Sequence, residues 1–236
     1  MSRARAETAH RDYPSMARWA RALYETGRGP REVVRECYGT DFPEEFFLLA
    51  EENPHASDLL VDFTNQPWRL AVPLSEGGPP PEPDSREEIE RRVFARDPGL
   101  LPLVVSLGMD TPLSNRVFCY HLDELHAGRP TVFGIGKSVR ANEETVRFGG
   151  SLLDVLHRHH ADYLALLTRQ IGLPSNRGTG ALIDEDVEEA QLLLEQVEQL
   201  QQKLADRPLF TQAGPAAALP SATPPAAPRP PAASAP

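Results

Sequence analysis

Cysteine is nearly absent: Cys37 and Cys119 are the only two in 236 residues. They stand far apart among apolar neighbours. That excludes a disulfide framework and reads as two buried thiols in a reducing compartment. No apolar run approaches the roughly 20 residues that cross a bilayer. No apolar segment follows the basic start Met-Ser-Arg-Ala-Arg, so no secretory leader is expected. These absences predict a soluble, cytoplasmic protein.

Catalytic motifs are equally scarce. There is no G-x-S-x-G elbow. Phe133-Gly-Ile-Gly-Lys-Ser138 carries Thr131 where a phosphate loop needs glycine, and the next residues, from Val139 onward, read as turn then strand. Cys119, His121, Asp123, Glu124 and His126 include metal-ligand types, but no second pair stands at zinc spacing. His157, His159 and His160 share a helix without the Glu of an H-E-x-x-H pattern and read as a solvated or partly buried face. No carboxylate pair in an apolar context suggests acid–base work. The expectation is a non-enzyme with no catalytic residue, cofactor or metal.

Positive charge is in deficit: 24 Lys and Arg against 34 Asp and Glu leave a formal charge of −10. That field repels nucleic-acid phosphates and anionic membrane surfaces and attracts a basic protein partner.

What is present is a sequence of short elements. Pro14 starts a helix with Met16, Trp19, Ala20, Leu23 and Tyr24 on one side, ending at Gly27. Pro30 starts a second with Val33, Val34, Cys37 and Tyr38, ending at Gly39. Pro43 starts a third, Glu44 to Glu52. Asp58–Phe63 and Trp68–Val72 read as strands around a Thr-Asn-Gln-Pro turn. Ser85 with Glu88 fits a capping box for a helix carrying Ile89, Val93 and Phe94. Four strands come next, Pro102–Leu107, Asn115–Tyr120, Thr131–Ile135 and Glu144–Phe148. The connections are too short for crossover helices, so the sheet should be antiparallel.

A closing helix runs over Ser151–Leu167, with Ser151 and Asp154 as its cap and Leu152, Leu156, Tyr163, Leu166 and Leu167 as its stripe. Residues 173–183 read as a linker. Asp184–Asp206 is an amphipathic helix with Val187, Ala190, Leu194, Val197 and Leu204 near heptad spacing, its register broken at Gln201. It would either pack back on the domain or self-associate. Residues 207–236, rich in Ala and Pro, should be disordered.

The order of features over residues 13–172 resembles the SUKH superfamily of cell-wall-synthesis regulators and bacterial immunity proteins. The family's Pro-containing aromatic helix looks like Phe42-Pro43-Glu44-Glu45-Phe46-Phe47-Leu48-Leu49. Its Leu-Pro-Leu strand looks like Leu101-Pro102-Leu103, its next strand like Val117–Asp123, and its Gly…Val-Phe element like Gly128 with Val132-Phe133. Asn53-Pro54 stands where the family often has Asn-Gly.

The resemblance implies an α+β domain: a mostly antiparallel sheet of about six strands, packed against N-terminal helices and a closing helix. It implies a protein-binding role, most often the neutralisation of a cognate toxin such as a basic nuclease domain. The alternative is a regulatory or scaffolding protein using the C-terminal helix and tail. The candidate partner-binding residues are the clustered acids Glu44, Glu45, Glu51, Glu52, Asp58 and Asp62.

Overall fold

Proline and glycine bound the first three helices of the structure, a computed structural model that describes residues 12–52, 59–107, 111–140, 143–171 and 180–207. Pro14 lies at the start of α1 (Tyr13–Glu25), Pro30 opens α2 (Pro30–Tyr38), and Pro43 precedes α3 (Glu44–Glu51). Each lacks an N–H that a first turn leaves unpaired anyway. Gly39 ends α2 at φ 72°, a left-handed conformation open to a residue without Cβ. Met16, Ala17, Ala20 and Tyr24 of α1 and Val33, Val34, Cys37 and Tyr38 of α2 are buried.

The sheet has five antiparallel strands in chain order: β1 (Val61–Phe63), β2 (Leu100–Ser106), β3 (Arg116–His121), β4 (Val132–Gly136) and β5 (Val146–Gly149). The sixth expected strand, Trp68–Val72, is instead a single 3-10 turn, Trp68–Ala71. A strand would alternate its side chains between faces. The turn buries Trp68, Leu70 and Ala71 together.

Pro102 occupies a central strand, where its missing donor would break a ladder. A bulge resolves this: Pro102 faces Cys119, Val104 faces the adjacent residue Phe118, and Leu103 is left over. The carbonyl of Leu103 turns out of the ladder and takes the N–H of Thr64 at 3.0 Å and the indole N–H of Trp68 at 2.7 Å. Gly134 in β4 admits Phe148, because an added Cβ would lie 2.5 Å from that ring.

One face of the sheet, with Leu101, Val104, Phe118, Tyr120 and Val132, joins the helices in the main core. The other carries Leu100, Val105, Val117, Cys119 and Ile135 under Val93 of α4 (Glu87–Arg96). The Ser85–Glu88 box does not cap α4. Arg86 is the N-cap and no side chain caps it; Asp84 fixes the turn before the helix, its carboxylate taking the Arg86 N–H at 2.9 Å and its carbonyl the Glu87 N–H at 3.2 Å. A short helix not expected from the sequence, α5 (Leu122–His126), follows β3 and is capped by the His121 ring.

The closing helix is α6 (Leu152–Ile171), and α7 (Gly180–Asp206) packs along it and against α3. Of the two roles open to α7, it packs on the domain. It begins at Gly180, inside the stretch expected as linker. Its seam is Ala190, Leu193, Val197 and Leu200, so Gln201 does not break the register: it lies beside the seam and donates to Asp154 at 2.9 Å. The expected tail falls outside the described residues. Cys37 and Cys119 are free and buried, and burial raises both thiol pKa values, that of Cys37 to about 12. No helix among the described residues is long and apolar enough to cross a membrane.

Candidate functional site

The turn that replaces the sixth strand is fixed from several sides. Glu90 of α4 takes the backbone N–H groups of Asn65 and, at 3.1 Å, Gln66. The Asn65 side-chain oxygen takes the Asp84 N–H at 2.9 Å, and its carbonyl takes the Arg69 N–H at 2.9 Å. Tyrosine hydroxyls on the helices complete the clamp. Tyr38 donates to Gln66 at 3.2 Å, Tyr24 to the Leu70 carbonyl at 3.0 Å and Tyr13 to the Pro80 carbonyl at 3.0 Å. Of the Asn65 side chain, only the amide nitrogen is left without a partner among the described residues; the other bonds hold the turn in one conformation.

That rigid turn forms one side of an open cleft of about 650 Å³, within the range of ligand pockets. Phe47 and Ala50 of α3 face Trp68, Ala71, Val72 and Pro73 across it. The rim carries Arg31, Glu32, Glu51 and Glu76, three carboxylates against one guanidinium. The Arg31 guanidinium lies 4.2 Å from the Phe47 ring centre and pairs with Glu44. Glu32 pairs with Arg28 at 3.0 Å, and the Gly29 N–H and then Arg28 hold its pKa below the ordinary value. The cleft therefore has an apolar floor, an ionised rim and little freedom to collapse.

The acidic stretch expected to form one docking face is divided by the fold. Glu51 lines the cleft, and Glu44 holds the arginine that lines it. Glu45 is in the interior, 4 % exposed, and takes hydrogen bonds from Tyr120, Ser151, Leu152 and Leu153. It cannot meet a partner, because the i, i+1 step from Glu44 turns it onto the core side of α3. Glu52 pairs with Lys203 of α7 at 2.5 Å, and Asp62 with Arg86 at 2.9 Å. Asp58 lies outside the described residues. Trp68, Val72, Pro73, Glu76, Arg31 and Glu32 were not singled out in the sequence. They come from segments about 40 positions apart, and only the aromatic residue after a Pro turn hinted at them.

The histidine face is also redrawn. His157 pairs with Glu198 at 3.4 Å, but His159 and His160 are wholly buried. They fall on the side of α6 that carries Leu152 and Leu156. Burial lowers both pKa values, that of His159 to about 4, so both are neutral near pH 7. Cys119 lies inside the second core, while His121 lies at the end of β3. Among the described residues no group of three or more His, Cys, Asp or Glu is placed to hold a metal ion. Gly136 of the glycine-lysine stretch ends β4 in a turn, with the Val139 N–H on its carbonyl at 2.8 Å.

Burial raises the Glu90 pKa from 4.5 to about 7, against the two backbone N–H bonds that lower it. The folded state therefore holds this proton where the unfolded chain has released it. That stabilisation is full below pH 4.5 and is lost as pH rises through 7, a change of about 3 kcal/mol. Urea unfolding from pH 5 to 8 should show Glu90→Gln lacking that decline, since glutamine has no proton to lose. An unchanged slope would assign the pH dependence elsewhere.

Compared with protein-family models, curated proteins and solved structures, the chain matches none.

Proposed function

We propose that this chain is a non-enzymatic protein-binding module of the SUKH kind that binds and neutralises a cognate toxin. The observation that carries the reading is the cleft: a preformed apolar floor with an excess of carboxylates at its rim. Such a surface suits an apolar side chain flanked by Lys or Arg, the chemistry of a basic nuclease domain. Rim charge speeds encounter and selects basic partners, while the apolar floor supplies residence. The quartet of α2, α3, sheet and closing helix supports the family resemblance. Phe42–Leu49 supplies α3, Leu101-Pro102-Leu103 the bulged strand, and Val132-Phe133 the start of β4.

The alternative, a regulatory or scaffolding protein using the C-terminal helix and tail, draws less support from the helix, because the apolar seam of α7 is covered by the domain.

The test is co-expression with the toxin encoded beside the gene, scored by cell survival and by co-purification. The wild-type chain should protect and be retained. Glu51→Lys with Glu76→Lys should weaken binding at least tenfold, about 1.4 kcal/mol or more; both side chains are exposed, and a thermal melt of the variant taken alongside checks that it is folded. Equal protection by the double variant would remove the cleft from the proposal. No protection by the wild type would remove the toxin.

A further inference from the structure

We infer that His159 and His160 form an acid-sensitive latch: a proton on either ring releases the Leu59–Leu60 segment, and with it the edge strand β1, from α6. The release needs no toxin and stands apart from the role of the cleft in docking.

Three observations meet. The first is the pair of rings. Both are wholly buried, with centres 5.6 Å apart. Nδ1 of His160 lies 2.7 Å from the Leu156 carbonyl and so carries the ring proton, which leaves Nε2 a bare lone pair without a partner. Neither nitrogen of His159 has a partner. A neutral imidazole carries one N–H and one lone pair, so His159 holds an orphaned donor and an orphaned acceptor in the core. An apolar side chain would sit there without that penalty. The property that imidazole adds is the capacity to take a proton.

The second is the segment that the rings touch. The Leu60 backbone lies beside His159 and the Leu59 backbone beside His160. Leu60 has φ 50°, a left-handed conformation that strains a residue with a Cβ. Its carbonyl takes the Leu107 N–H at 3.2 Å, and the next residue opens β1, three residues long and at the edge of the sheet. A short, strained edge ladder is the part of a sheet that opens first.

The third is the charge around the rings. On α6, His157 acts on His160 but is engaged by Glu198 of α7 at 3.4 Å, and Asp154 takes Gln201. Asp186 and Glu189 of α7 face Tyr163. Glu45 of α3 is engaged at the start of α6, Glu52 pairs with Lys203, and Asp62 of β1 pairs with Arg86. From β5 comes the exposed Arg147. Among the described residues no carboxylate pairs with either ring, so a proton there has no counter-charge.

Burial lowers both pKa values, that of His159 to about 4, whereas a released imidazole titrates near 6.5. The released state therefore gains the proton as pH falls below 6.5, and the latched state gains it only near pH 4. From pH 7.5 to 5 the release equilibrium should rise about thirtyfold through His159, with His160 adding to it. β1 runs at Phe63 into the turn beside the cleft, so acid would loosen that wall.

The test is hydrogen exchange of the full chain at pH 7.5 and 5, with each amide's rate divided by its intrinsic rate. Protection at the Leu107 amide, which lies on the Leu60 carbonyl, should fall about thirtyfold more in the wild type than in His159→Gln. The comparison cancels the titration of Glu90, which has the opposite sign. The β3–β4 ladder should keep its protection in both chains. Equal changes at Leu107 in the two chains would overturn the inference, and so would a matching fall across β3–β4, which is global unfolding. NMR titration of the wild-type imidazole C–H signals decides the matter without a variant. A His159 signal that titrates near pH 6.5 while Leu107 stays protected would show a charged ring in a closed latch and contradict the coupling.

Discussion

Glu45→Ala should lower the unfolding free energy by about 3–5 kcal/mol in urea titrations. Its Oε1 takes the Tyr120 hydroxyl at 2.7 Å and the Leu152 N–H at 2.8 Å; its Oε2 takes the Ser151 hydroxyl at 2.6 Å and the Leu153 N–H at 3.3 Å. The carboxylate thus caps the N-terminus of α6, a 20-residue helix whose dipole favours negative charge there. Ser151 turns back to take the Asp154 N–H at 3.2 Å, so the cap expected from the sequence forms but is itself held by Glu45.

Alanine leaves three buried donors and the half-buried Ser151 hydroxyl without their acceptor, and a void the size of the lost carboxylate. Each charge-assisted bond is worth about 1.5–3 kcal/mol, and relaxation recovers part of the loss. Glu45→Gln keeps one acceptor and sets an amide against donors, so it should cost about 1–3 kcal/mol by the same scale. A loss below about 1 kcal/mol for alanine, less than a single such bond, would mean that Glu45 does not join α3 to α6.

Trp68→Ala should be comparably severe, about 3–5 kcal/mol. The indole is 1 % exposed, stacks on Phe46 at 4.6 Å and meets Phe63 edge-on at 5.1 Å. Its removal opens the floor of the cleft to the main core. Trp68→Phe should cost only about 1–2 kcal/mol, a lost hydrogen bond and a partial void. The Leu103 carbonyl that loses the indole keeps the Thr64 N–H, so no acceptor is orphaned. Thermal unfolding of the pair separates the two contributions. Equal losses would place the hydrogen bond above the ring contacts.

The fold class was readable because its signals are local. Prolines and glycines mark the starts and stops of α1–α3, and runs of Val and Phe mark β2–β4. The misread elements depend on distant partners. Trp-Arg-Leu-Ala-Val has strand composition, yet its conformation is set by a bulged carbonyl 35 positions away. Glu45 is indistinguishable in sequence from Glu44, and its partners Tyr120 and Ser151 lie 75 and 106 positions on. The α7 seam was displaced because Leu193 and Leu194 are equivalent by composition, and only contact with α6 selects between them. The acidic cluster is dispersed for the same reason: Glu44 and Glu45, neighbours in sequence, point in different directions once a helix forms. The cleft draws its walls from two segments, and nothing local ties Pro30–Glu32 to Val72–Glu76.

The cleft between α2, α3 and the Trp68 turn is the surface proposed to recognise a basic protein partner. Survival of cells carrying the neighbouring toxin tests that role most directly, with wild-type chain and the Glu51→Lys, Glu76→Lys variant expressed at equal levels. The expected result is survival with the wild type and loss of protection with the folded variant. Full protection by the variant would contradict it.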